Sequence, residues 1–230
     1  MKIVQMDEAT QNKLTAHFLL YISDRRRDLL QQVLSQRTRH ITMVLEDIYQ
    51  SQNASAVIRT CECMGVQDIH IIENESKFSV NKDVVKGSVK WVDIMKYQKE
   101  KGADLCFEQL KKKGYKILVT DPSPDGVSIY DVDIHEKIAL VMGNELKGTS
   151  DRAISHADLK VKIPMYGFTE SMNISVSAAI CLNTLIPKLH QSEVSWQLTA
   201  DEIVDIRFRW LRKMMKRPEI MEKEFLKSIQ

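Results

Sequence analysis

Three short stretches hold the side chains best suited to chemistry. Residues 53–60 read N-A-S-A-V-I-R-T, and Arg59 shares a helical turn with Val57, Ile58 and Cys61. A guanidinium is costly to bury unpaired, so Arg59 either snorkels outward or points into a polar site. Residues 139–150 read A-L-V-M-G-N-E-L-K-G-T-S, a hydrophobic strand that breaks into a glycine-bearing polar loop. Residues 163–179 repeat that design and run on into an apolar helix. Two such loops, a few residues apart, belong at one end of one sheet, where open α/β sheets bind ligands.

Several simpler readings compete. Gly143 and Gly148 have P-loop spacing, but Thr149 stands where that motif needs its lysine, and Lys147 is displaced. No G-x-G-x-x-G is present, so a nicotinamide enzyme has little support. Asn53 could be only a helix cap. Ser171, Asn173, Ser175 and Ser177 are short polar residues at a helix start, and capping accounts for Ser175 and Ser177. No G-x-S-x-G surrounds Ser171, and no histidine is placed to activate it. Asp121 and Asp125 flank prolines and read as turn residues.

The elements that must position these residues follow from periodicity. Residues 6–36 read as two helices with apolar spacing at Leu14, Phe18, Leu19, Leu29, Leu30 and Val33. Strands are expected at 41–45, 67–72, 115–120, 138–142 and 159–163, and helices at 53–64, 99–113, 149–156 and 173–189. Gly65 and Gly114 sit where helices stop. Strand and helix alternate from 41 to 190, which predicts a largely parallel sheet with helices on both faces. Residues 1–40 and 191–230 are helical extensions to this domain.

The chain has 230 residues, 28% of them charged and 43% hydrophobic, an ordinary globular composition. No apolar run approaches the roughly 20 residues of a membrane span, and the N-terminus lacks a signal-peptide run. The four cysteines form neither a C-x-x-C pair nor a zinc-spaced cluster, so reduced thiols in a cytoplasmic protein without metal are expected. Net charge is only +2, but Arg25, Arg26 and Arg27, then Arg37, Arg39 and His40, crowd one end. Residues 207–217 hold six basic residues and no acidic one, among them Arg207, Arg212 and Lys216, with Phe208 and Trp210 interleaved. Basic ends on a near-neutral chain fit a polyanion. The competing reading is a solvated helix face, with Trp210 as a core contact.

Together the motifs N-x-x-A-x-x-R-T, V-M-G-N-E-L-K-G and I-P-M-x-G-x-x-x-S-M-N-I-S-V resemble those of the SpoU (TrmH-like) ribose 2′-O-methyltransferases of the SPOUT class. K-G-S-V-K-W-V between them is similar to a further stretch of that family, and the resemblance covers residues 37–190. The helical flanks are similar to the tRNA-acting branch.

This resemblance implies an α/β SPOUT fold with a C-terminal trefoil knot, S-adenosylmethionine as methyl donor, and a homodimer with the active site near its interface. It assigns Asn53, Arg59, Glu145, Ser171 and Asn173 to catalysis. Cofactor contacts fall to Thr120, Gly143, Asn144, Gly148, Ile163, Met165 and Met172. Arg25, Arg26, Arg27, Arg207, Arg212 and Lys216 are candidate tRNA contacts. Glu170 departs from the glutamine of many relatives. The implied activity is 2′-O-methylation of a guanosine ribose in tRNA, at position 18 of the D-loop. The alternatives are another tRNA or rRNA nucleotide, or a non-enzymatic RNA-binding factor on the same fold.

Overall fold

The structure, a computed structural model, describes residues 7–98 and 101–228. Met6 and Lys99, expected to begin helices, lie outside them. The chain opens with α1 (Glu8–Leu19) and α2 (Asp24–Ser35). There follow β1 (Ile41–Glu46), α3 (Ser51–Cys63), β2 (Asp68–Glu73), α4 (Lys82–Val85), β3 (Asp93–Gln98), α5 (Gly102–Lys112) and β4 (Tyr115–Thr120). Then come β5 (Val127–Ser128), β6 (Lys137–Met142), α6 (Asp151–His156), β7 (Leu159–Lys162) and α7 (Ile174–His190). The last helices are α8 (Ala200–Met214) and α9 (Pro218–Ser228). Two compact units result, Thr38–Trp196 and the flanking segments Met1–Arg37 and Gln197–Gln230 together.

In the Thr38–Trp196 unit, β1 and β2 are buried at every position. Strands of that kind must be covered on both faces, which a parallel sheet with crossover helices provides. The sheet has seven strands in the order β3-β2-β1-β6-β4-β7-β5, and every described pairing is parallel. One face packs on α3 and α7 through Val57, Ile58, Cys61, Leu182 and Leu185; the other packs on α5 through Phe107 and Leu110. The C-terminal ends of β1, β4, β6 and β7 therefore point the same way, and the loops leaving them converge.

α3 begins two residues earlier than expected, with Gln50 as its N-cap, so Asn53 lies inside the helix and is not its cap. Gly65, at φ 79°, follows its last turn. α7 divides its apolar residues: Ile174, Ala178, Leu182 and Leu185 turn inward, whereas Val176 is 46% exposed and Ile180 is half-buried. β3 has no strong signal in D-I-M-K-Y-Q, because it is an edge strand with only Tyr97 fully buried.

In the helical unit, Leu14, Phe18, Leu30 and Leu34 are buried with Phe208, Trp210 and Leu211, while Leu29, expected inside, is exposed. Trp210 is a core contact, under the Arg37 guanidinium 5.5 Å from its ring centroid. Arg37 is thus buried. In the other unit Arg39 pairs with Asp68 and Asp93, and His40 bonds the Ile134 carbonyl, so none of the three is an open phosphate contact. No helix among the described residues is long and apolar enough to cross a membrane.

Candidate active site

The loops after β1, β4, β6 and β7 enclose a cleft of about 590 Å³. Its wall includes all seven expected cofactor residues, Thr120, Gly143, Asn144, Gly148, Ile163, Met165 and Met172. Asn53, Glu145, Ser171 and Asn173 line it as well. Arg59 does not; its side chain is exposed. Six residues beyond Asn53 on one helix, it lies about 120° around the axis from it.

The loop after β6 folds back on itself. Asn144 and Gly148 exchange two backbone hydrogen bonds of 2.9 Å. A Cβ on Gly143 would lie 2.4 Å from the Thr149 nitrogen, so only glycine permits this closure. Gly148 meets nothing within 4 Å and is needed for its φ of +71°. The Asn144 side chain also shapes the loop: its oxygen accepts from the Leu146 and Lys147 N–H groups, and its amide donates to the Asp47 carbonyl at 2.7 Å. Thr149 donates to the Thr120 carbonyl at 3.0 Å, joining the ends of β4 and β6.

This closure aims Glu145 at the start of α3. Its carboxylate accepts from Tyr49 N–H at 2.9 Å, Gln50 N–H at 3.3 Å and the Asn53 amide at 2.8 Å. Burial works against its charge, but the Asn53 bond and the backbone N–H groups outweigh it and hold its pKa below the ordinary value. Asn53 in turn accepts from the Asn173 amide at 3.1 Å. Asn173 caps α7 through a 2.8 Å bond from Ser175 N–H, and Ser175 bonds it again through its hydroxyl. One polar chain, Glu145–Asn53–Asn173, thus joins the loop after β6, helix α3 and helix α7.

Several wall residues had a weaker signal. Asp121, read as a turn residue, makes that turn by accepting from Ser123 N–H, and it also lines the cleft. Its position directly after β4 was the available clue. Ser177, read as a capping residue, lines the cleft too, as do Glu170 and Cys181. Burial pushes the Cys181 thiol up to about 12, so it stays protonated and unreactive.

A model of the SpoU rRNA Methylase family matches residues 40–183, which contain the cleft. The chain belongs to this family. A SpoU relative from Borreliella burgdorferi, a tRNA (guanosine(18)-2′-O)-methyltransferase, is 41% identical over 202 residues, 88% of this chain and 91% of the relative. The enzyme of the same name from Aquifex aeolicus is 34% identical over 162 residues, 70% of this chain and 75% of that one. The crystal structure of the A. aeolicus TrmH/SpoU tRNA modifying enzyme superposes with a TM-score of 0.74 at 30% identity, covering 84% of this chain and 98% of that one.

The family's chemistry calls for a methyl-donor site, and the cleft suits one. Met142, Ile163, Met165 and Met172 offer apolar wall for an aromatic base, and the glycine loop brings backbone close. Its volume lies within the usual range for small-molecule sites of roughly 300–1,000 Å³.

The expected RNA contacts divide. Arg25, Arg26 and Lys216 are exposed. Arg27 is occupied by Asp24 and the Leu19 carbonyl, and Arg207 by Gln31. The Arg212 guanidinium is held by Glu219 and Glu222, which ties α8 to α9.

Proposed function

We propose that this chain transfers a methyl group from S-adenosylmethionine to the ribose 2′-hydroxyl of a guanosine in tRNA, at position 18 of the D-loop. The observation that carries this is the Glu145–Asn53–Asn173 chain bordering a cleft that suits the donor, in a protein 41% identical to an enzyme of that name. Bound S-adenosylmethionine supplies an activated methyl on sulfonium, so positioning the two reactants can supply much of the rate.

The residues then divide the work. The loop from Gly143 to Gly148 gives the donor its backbone cradle, with Thr120 closing the strand beside it. Ile163, Met165 and Met172 enclose the adenine. Glu145 already accepts three hydrogen bonds and has a low pKa, so it is poorly suited as a base. It orients Asn53 instead, and Asn173 and Ser171 complete the wall facing the ribose. Arg59 stabilises the developing alkoxide and grips the neighbouring phosphate, for which its planar fork is suited; the hydroxyl proton leaves to solvent and S-adenosylhomocysteine is the leaving group.

Arg59 reaches a cleft in a homodimer. The supporting observation is a shallow face of α3 and α7, made by Ala56, Thr60, Met64, Val176, Ala179 and Ile180. It mixes these residues with the polar Ser175, Asn183 and Thr184, and Arg59 lies about 60° from Ala56 on the helical wheel. Contact with a second copy buries this face and carries Arg59 toward the partner's cleft. The trefoil knot belongs to the same reading; its support is that β7 pairs with β4 and β5 and not with β6, its predecessor in the chain. Arg25, Arg26 and Lys216 supply phosphate contacts, which give affinity and register but little sequence choice.

Incubation of purified protein with S-adenosylmethionine and a tRNA transcript, followed by mapping of ribose methylation, tests the proposal. One 2′-O-methyl group at guanosine 18, absent when that nucleotide is 2′-deoxy, is expected. Methylation at another nucleotide overturns the position, and no methylation of any tRNA overturns the activity.

A further inference from the structure

We propose that Glu46 is a positioning residue for the loop at 143–150, setting donor affinity without touching the donor. The affinity part rests on the function proposed above. Glu46 ends β1, whose other residues are apolar except Thr42, and is only 1% exposed. No cation among the described residues pairs with it. A buried carboxylate without a counter-cation is costly unless its lone pairs are used.

Both oxygens are used, and by a single residue. Ser150 donates its N–H to Oε2 at 3.0 Å and its hydroxyl to Oε1 at 2.6 Å. The Ser150 hydroxyl also accepts from Ala153 N–H, so the same contact caps α6. The register explains the reach. Leu45 lies opposite Met142 across β1 and β6, so Glu46 stands opposite Gly143, where the loop departs. The loop therefore leaves from beside Glu46 and is tied back to it at Ser150.

The next residue holds the other end. The Asp47 carbonyl accepts from the Asn144 amide, and its φ is 53°, unusual for a non-glycine residue. Its carboxylate takes the N–H groups of Asn74, Glu75 and Ser76, which steadies that turn. Two adjacent residues thus grip the entry and the exit of the loop, and between these grips the backbone bonds of Asn144 and Gly148 close it. An apolar residue at 46 would pack as well and hold nothing.

The test uses the full chain with Glu46→Gln, Ser150→Ala and the double variant. Glutamine keeps the shape and retains one acceptor oxygen. Calorimetry with S-adenosylmethionine should show Kd raised about tenfold in Glu46→Gln, a loss of about 1.4 kcal/mol. KM for the donor should rise with kcat within about twofold, because no reacting group has moved. Ser150→Ala should weaken binding in the same direction, and the double variant should be little worse for donor binding than Glu46→Gln alone, since both act on the same Glu46–Ser150 contact. Amide exchange across 143–150 should quicken in Glu46→Gln with no ligand present. Wild-type affinity, wild-type exchange in the loop, or fully additive losses each overturn the proposal. If Glu46→Gln does not fold, Ser150→Ala with unaltered exchange overturns it as well. A wild-type chain that binds no S-adenosylmethionine overturns the proposed function instead, and ligand-free exchange still decides whether Glu46 grips the loop.

Discussion

The Asn173 amide donates to Asn53 Oδ1 at 3.1 Å, tying the cap of α7 to the first turn of α3 across 120 residues of sequence. Because Asn53 also donates to Glu145, each asparagine must be an amide in a fixed orientation. Asn53→Asp would place a carboxylate against Glu145 at hydrogen-bond distance. We expect a fall in methyl transfer of about a hundredfold or more, and a loss of about 1–3 kcal/mol in stability. Single-turnover kinetics and urea unfolding check it; activity within a few-fold of wild type would remove Asn53 from the site.

Arg59→Ala should nearly abolish transfer and leave S-adenosylmethionine affinity within a few-fold, because the side chain lies outside the cleft of its own chain. Arg59→Lys should also be poor, since lysine lacks the planar fork. If Arg59 serves the partner's cleft, mixing inactive Arg59→Ala with inactive Asn173→Ala should recover activity at the wild-type site of the mixed dimer. No recovery, with mixed dimers demonstrated by mass spectrometry, would confine Arg59 to its own chain.

The two glycines of the loop should fail differently. Gly143→Ala drives a Cβ to 2.4 Å from the Thr149 nitrogen, so the loop cannot close and donor binding should be lost. Gly143→Val should be at least as severe. Gly148→Ala meets open space and suffers only from its positive φ, at a cost of about 1 kcal/mol. Titration with S-adenosylmethionine ranks them; equal losses would contradict this division.

Much of this loop was legible in the sequence, because glycines at 143 and 148 around N-E-L-K announce a shaped turn after an apolar strand. The alternation of strands and helices was legible for the same reason: buried parallel strands are continuous apolar runs. What escaped notice obeyed tertiary rules. Glu46 looks like the polar end of a strand until Ser150, 104 residues on, arrives beside it. Arg212 looks like a phosphate ligand until α9 folds two glutamates onto it. Asn53 reads as a cap because local sequence cannot reveal that α3 starts at Ser51.

Glu145 has a depressed pKa, so the stability it contributes is present above the ordinary carboxylate value of 4.5 and is lost as pH falls through its lower folded value. The thermal midpoint gap between wild type and Glu145→Gln should therefore stay constant from about pH 8 to pH 5 and narrow below that. A gap that already narrows between pH 7 and pH 6 would mean that Glu145 titrates much higher than its hydrogen bonds require.

For RNA, replacing Arg25, Arg26 and Lys216 with glutamine should weaken tRNA binding and reduce the salt slope by up to about one per lost contact. Donor affinity should not change. Arg212→Ala should instead destabilise the fold, because it leaves Glu219 and the half-buried Glu222 without their cation. Binding by the triple variant as tight as wild type at every salt concentration would place the phosphate contacts elsewhere.

The strand order has a consequence for synthesis. β1 pairs with β2 on one edge, but its other edge waits for β6, which begins at Lys137. At roughly 5–20 residues per second, the ribosome leaves that mostly apolar strand's edge open for roughly 5–20 s. During this interval the nascent chain carries an unpaired, aggregation-prone template. Chaperone capture should therefore peak before β6 emerges and decline once it has paired, and neither the donor cleft nor the Asn53–Asn173 bond can exist in a chain stopped before residue 173.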